Sequence, residues 1–129
     1  MAGRANYALT ARMANVEKIL IVEDEPLIAM MIEDFLDILG KRAIGSVDSV
    51  ADALDAVEAG GMDAVILDVN LRGGEKCWPV ASALAEKNIP FVLATGGAGD
   101  MIDPEFRDRP ILPKPFTLEA VEEALDALL

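Results

Sequence analysis

Four apolar runs in this chain each end on a residue that could do chemistry. "ILIV", residues 19–22, runs into Glu23, Asp24 and Glu25; "AVIL", 64–67, ends at Asp68. "PFVLAT", 90–95, ends at Thr95, and "PILP", 110–113, is followed by Lys114. Clustered carboxylates destabilise one another unless they share a proton or a cation. With His 0 and Cys 1, the natural cation is hard and oxygen-loving, so Mg²⁺ or Mn²⁺. An ammonium and a hydroxyl on the far side would neutralise phosphoryl oxygens. A carboxylate between them could attack phosphorus and form an aspartyl phosphate. Brought together, these groups spell Mg²⁺-dependent phosphoryl transfer to an aspartate. Taken singly, each has a plainer reading: an acid capping a helix, a strand threonine, a surface lysine.

The elements that must position them follow from the hydrophobic pattern. The runs are β-branched and do not alternate with polar residues, as in parallel strands buried on both faces. Pro26 suits a first helical position. Leu27, Ile28, Met31, Ile32, Phe35, Leu36 and Leu39 follow at helical spacing, and Gly40 closes that helix. Residues 42–47 form a weaker strand. Val50, Leu54 and Val57 stripe a second helix ending at Gly60 and Gly61, and a third runs from about Pro79 to Lys87. Leu118, Val121, Leu125 and Leu128 stripe the last. Between strands four and five lies "GGAGDMIDPEFRDR", 96–109, whose three glycines and internal proline leave at best a short or fluctuating helix. Five strands alternating with helices predict an α/β fold with right-handed crossovers and strand order 2-1-3-4-5. Such sheets bind ligands beyond the carboxyl ends of the strands, at the switch between strands 1 and 3. All the chemistry-bearing residues stand at that edge.

The bulk numbers narrow the partners. One domain accounts for 129 residues, and 53% hydrophobic residues support a full core. A net charge of −12 disfavours nucleic acid and anionic membrane, which need a basic footprint. Cys77, the single cysteine, can form no intrachain disulfide and reads as a small apolar residue in a reducing compartment. No apolar stretch approaches the roughly 18 residues of a membrane span. There is no secretory signal either, so a cytoplasmic protein is expected. Residues 1–15 lack a clear period and read as a flexible extension before a domain spanning 16–129. No Gly-x-x-x-x-Gly-Lys-[Ser/Thr] loop is present, and the "GAG" at 97–99 lacks its third dinucleotide glycine.

In this order "ILIVEDEP", "VILDVNL", "FVLAT" and "LPKPF" resemble the receiver domain of two-component response regulators, over residues 18–129. The resemblance implies a flavodoxin-like (βα)5 fold and a bacterial phosphorelay protein. It implies Asp68 as phosphoacceptor, and Asp24 and Asp68 as direct Mg²⁺ ligands. Glu23 would act through water, and the main-chain carbonyl of Asn70 would be a further ligand. Thr95 would hydrogen-bond one phosphoryl oxygen, Lys114 would pair with another, and the Lys114–Pro115 bond would be cis. Glu25 would face solvent at the helix entry, where the dipole offsets its charge. Receivers often carry Tyr or Phe three residues before the lysine; here it is Ile111, a departure from the aromatic of the usual Thr–aromatic switch. "PFVLATGG" resembles a Phe-Ala-Thr-Gly-type subgroup that lacks this aromatic, has a poorly formed fourth helix and works with HWE-type histidine kinases.

The expected function is therefore acceptance of a phosphoryl group from a kinase phosphohistidine by Asp68. The phosphorylated protein would act on a downstream partner through residues 96–129, as a monomer or weak dimer. It would catalyse only its own phosphorylation and dephosphorylation. Gly97, two past Thr95, would leave the phosphoryl group open to water on that side. A haloacid-dehalogenase-like phosphatase is the first alternative. It is opposed by Asn70 where those enzymes place a general-acid Asp, by a nucleophile on the third strand and by little room for a cap. The second is a pseudo-receiver that takes no phosphate.

Overall fold

The computed structural model describes residues 16–96 and 101–128. The extension 1–15, Gly97 and the rest of 97–100 lie outside the described residues. Five parallel strands form one sheet: β1 (Lys18–Val22), β2 (Arg42–Val47), β3 (Ala64–Asp68), β4 (Phe91–Thr95) and β5 (Ile111–Pro113), in order β2-β1-β3-β4-β5. The helices are α1 (Pro26–Ile38), α2 (Val50–Ala59), α3 (Trp78–Glu86) and α4 (Leu118–Asp126).

The strand sequences explain the two layers. Along a strand, alternate side chains go to opposite faces. Ile19, Ile21, Ala64, Ile66, Val92, Ala94 and Leu112 pack with Ala29, Ile32 and Leu36 of α1 and Val121 and Leu125 of α4. Leu20, Val22, Val65, Leu67, Phe91 and Leu93 pack on the opposite face, with Val50, Ala53 and Val57 of α2 and Val80, Ala81 and Leu84 of α3. Burial on both faces is why the strands read as continuous apolar runs. Leu27, expected in the α1 stripe, is instead 79% exposed, and Ala29 takes the buried place. Pro26 starts the helix, and Leu27 sits one position off the arc that meets the sheet.

Both sheet edges are blunted. The β1/β2 register slips between Ile19 and Leu20, so Ile44 is an extra residue on β2, and bulges discourage edge pairing. The β5 edge is flanked by Pro110, Pro113 and Pro115, which donate no backbone hydrogen bonds. Two helix starts carry side-chain caps. Ser49 Oγ accepts from Asp52 N at 3.2 Å, and Thr117 Oγ1 accepts from Ala120 N at 3.1 Å. Where a fourth crossover helix would lie, the described residues hold only a 3₁₀ turn, Pro104–Phe106. Its Phe106 is buried; it stacks on Trp78 (centroids 5.9 Å apart) and meets Phe91 edge-on at 5.8 Å.

Candidate functional site

Among the described residues the buried polar or charged ones are Glu23, Asp68 and Thr95. Each lies at the carboxyl end of a strand, where β1, β3 and β4 run side by side. Strand alternation, continued by one residue, aims Glu23, Asp68 and Lys114 to the α1/α4 side of the sheet and Thr95 to the other. The contacts follow that division. Lys114 Nζ donates to Asp68 Oδ2 at 2.9 Å and to Glu23 Oε1 at 3.1 Å. Thr95 is linked to the same lysine through the main chain: Lys114 N donates to the Thr95 carbonyl at 2.8 Å. The Lys114–Pro115 peptide is cis, as expected.

The electrostatics are those of a crowded, partly dry anion cluster. Burial first, and the neighbouring Asp68 second, push the Glu23 carboxyl up to about 8 despite the lysine beside it. Burial and Asp68 also raise Asp24. Burial alone would lower Lys114, but Asp68 and Glu23 outweigh it and hold the ammonium charged. Glu23 Oε2, although 3.1 Å from the ammonium, has no hydrogen-bond partner. Ion-paired but not hydrogen-bonded, this buried oxygen keeps a lone pair for a proton or a second cation.

The residues present fit a hard divalent ion. Glu23, Asp24 and Glu25 each offer a carboxylate oxygen, all within 4.8 Å of one another, with Glu23 buried, Asp24 half-buried and Glu25 exposed. Together with Asp68 this is an oxygen-only donor set, the kind Mg²⁺ prefers. The exposure of Glu25 agrees with its expected place at the helix entry. Its backbone N–H donates to Glu23 Oε1 at 3.3 Å, so it also braces the cluster.

Asn70 is held in a small hairpin following β3. Leu71 N donates to the Glu75 carbonyl at 2.8 Å and Cys77 N to the Val69 carbonyl at 2.9 Å, bracketing an antiparallel bridge between Asn70 and Lys76. Gly73 and Gly74, at φ 79° and 76°, supply its turn. In a pair bracketed this way, a residue's own N–H and C=O point away from the opposite arm. The Asn70 N–H accordingly reaches Asp68 Oδ1 at 3.3 Å.

Beside the carboxylates a cleft of about 350 Å³ is lined by Glu23, Asp24, Asp48, Asp52 and Arg72 among others. Arg72 is ion-paired there with Asp48, and its N–H donates to the Asp48 carbonyl at 3.0 Å. Lys76 donates to the Asn70 side-chain oxygen. Sequence reasoning missed both loop cations. The signal for Lys76 was its spacing from Asn70 around paired glycines, which closes a tight turn.

Comparisons with known proteins identify the family. Residues 19–126 match the response regulator receiver domain family. The solution structure of SdrG from Sphingomonas melonis Fr1 is 65% identical with a TM-score of 0.81, covering 88% of this chain and 96% of that one. The BeF₃-activated conformation of SdrG from Pseudomonas melonis Fr1 is 63% identical (TM-score 0.76; 88% and 98% covered). A CheY-like receiver domain from Methylobacillus flagellatus is 31% identical with a TM-score of 0.75, covering 88% of this chain and 99% of that one. The transcriptional regulatory protein TcrA of Mycobacterium tuberculosis is 32% identical over 97% of this chain, which spans only 59% of TcrA. This chain belongs to the receiver domains of two-component response regulators, and its relatives are bacterial.

Proposed function

We propose that Asp68 accepts a phosphoryl group from a phosphohistidine on a partner kinase, in a receiver domain spanning residues 16–129. The observation that carries this is the burial of Glu23, Asp68 and Thr95 at one sheet edge, with Lys114 bonded to two of them. Burying charged groups is costly unless they are paired, and such perturbed groups cluster at functional sites. Receiver domains bind Mg²⁺ at an acidic pocket, and Asp24, Asp68 and the Asn70 carbonyl would hold it here, with Glu23 acting through water. When bound, the ion neutralises the phosphoryl oxygens and the acids around it.

The chain's own residues do the rest. An Asp68 oxygen attacks phosphorus in line; the P–N bond breaks, and its electron pair stays on the imidazole nitrogen. Lys114, already 2.9 Å from Asp68, follows the developing charge onto a phosphoryl oxygen. Thr95 supplies a hydroxyl to another. The product carries about −1.5 to −2 added charge, which draws Thr95 inward and changes the segment after it. Segment 96–129, including the half-exposed Ile111 of β5, then presents a changed surface to a downstream protein. The kinase is of the HWE type, the receiver acts in the cytoplasm as a monomer or weak dimer, and it turns over no substrate but its own phosphoryl group. No helix among the described residues is long and apolar enough to cross a membrane.

The test is intact mass after incubation with Mg²⁺ and acetyl phosphate. A gain of one phosphoryl group that vanishes in Asp68→Asn supports the reading. No gain, with Mg²⁺ also failing to bind, makes the chain a pseudo-receiver; turnover of a small phosphomonoester makes it a phosphatase.

A further inference from the structure

The hairpin after β3 links a second lysine to Asp68 through Asn70, by a route the phosphotransfer step does not use. Lys76 Nζ donates to Asn70 Oδ1, and Asn70 N donates to Asp68 Oδ1 at 3.3 Å. An ammonium has donors and no acceptor, so this contact fixes which end of the Asn70 carboxamide faces the lysine: the oxygen. The contact is built in, because the Asn70–Lys76 bridge and the glycine turn set both residues opposite each other.

That matters for the fate of an aspartyl phosphate. Hydrolysis needs a water whose oxygen attacks phosphorus; the P–O bond to Asp68 breaks, its electron pair returns to the carboxylate, and the water releases a proton to solvent. A carboxamide oxygen near the reacting group can accept a hydrogen bond from that water and aim it, as the glutamine of small GTPases does. The side chain of Asn70 has one such oxygen. Bonded to an ammonium, it is a poorer acceptor for a second donor, and the loop rather than the water decides where it lies.

Resting on the phosphoacceptor reading above, we propose that Lys76 is a positioning residue that lengthens the life of phospho-Asp68 by holding the Asn70 side-chain oxygen away from hydrolytic water.

The experiment follows phosphate loss from the purified full chain after acetyl phosphate loading, in wild type, Lys76→Met, Lys76→Arg, Asn70→Ala and the Lys76→Met/Asn70→Ala double variant. Loss should be about fivefold faster in Lys76→Met, the ratio one ordinary hydrogen bond supports. Lys76→Arg should keep the wild-type rate. In the Asn70→Ala background, Lys76→Met should change nothing, which a merely structural or long-range charge effect would not predict. Mg²⁺ titration, read from the fluorescence of Trp78, should not move in Lys76→Met. An unchanged rate in Lys76→Met, or an effect that survives in Asn70→Ala, overturns the proposal. If the wild type takes up no phosphoryl group, the phosphoacceptor reading fails by itself. The Asn70 side-chain NH₂ resonances then decide the positioning claim. They should be ordered in wild type and Lys76→Arg and mobile in Lys76→Met; equal mobility in all three rejects it.

Discussion

Glu23 makes a sharp pH prediction. Its carboxyl is raised from an ordinary 4.5 to about 8 by burial and by Asp68, so in the metal-free protein it is largely protonated at neutral pH. Oε2, without a hydrogen-bond partner, is the oxygen with room for that proton. A cation entering the cluster has to displace it. If Mg²⁺ binds only the deprotonated form, affinity should rise about tenfold from pH 6 to 7 and a few tens of times by pH 8. A value one unit lower still gives about tenfold between pH 6 and 8, whereas the ordinary carboxylate value gives almost none.

The chain suits this measurement because it has His 0, and Cys77 is pushed up to about 12 by burial and by Asp68. Of the groups that ordinarily titrate between pH 6 and 8, the α-amino group remains, and acetylation removes it. Calorimetric titration with Mg²⁺ in two buffers of different ionisation enthalpy should show about one proton released per ion near pH 7. Stability should follow with the opposite trend. The folded metal-free state keeps a proton that the unfolded chain has lost, so its stability falls as pH rises from about 4.5 to 8. Saturating Mg²⁺ should cancel that fall. A Mg²⁺ affinity that moves less than about twofold between pH 6 and 8, with metal-free thermal stability rising over the same window, would refute the assignment.

Three further outcomes are expected. Asp24→Asn should abolish Mg²⁺ binding, whereas Glu25→Gln, at an exposed position, should weaken it by less than about threefold; equal losses would show that the three acids share the ion evenly. Phe106→Ala removes a ring packed between Trp78 and Phe91 and should cost about 3–5 kcal/mol, read from denaturant unfolding followed at Trp78. Asp63 Oδ2 accepts from Glu17 N at 3.0 Å and Lys18 N at 2.9 Å, so Asp63→Ala should cost about 1–2 kcal/mol in the same assay and leave phosphoryl uptake intact.

How far the sequence reaches is set by whether a signal is local. Strand ends are local: a greasy run stops at one polar residue, and the parallel sheet lines such stops up at one edge, so Glu23, Asp24, Asp68, Thr95 and Lys114 were legible together. Alternation pointed to a parallel sheet, and five strands to the order 2-1-3-4-5 that the sheet has. The weak fourth helix was legible too, because glycine and proline act at the residue where they stand. What stayed hidden depends on partners far along the chain or on the phase of a side chain. Nothing in "GMDAV" says that Asp63 will hold the backbone of Glu17 and Lys18, 46 and 45 residues away. Nothing in "CWP" predicts that Trp78 will lie flat on Phe106. Thr95 was placed at the right edge, but its parity along β4, which separates it from Glu23, Asp68 and Lys114, appears only when register is known. The same holds for Lys76: a surface lysine by composition, it becomes a constraint on Asn70 because two glycines fold the loop back by one bridge. The acids that would hold a cation are written in a run, but the groups that would tune how long the phosphoryl group stays are written across a turn.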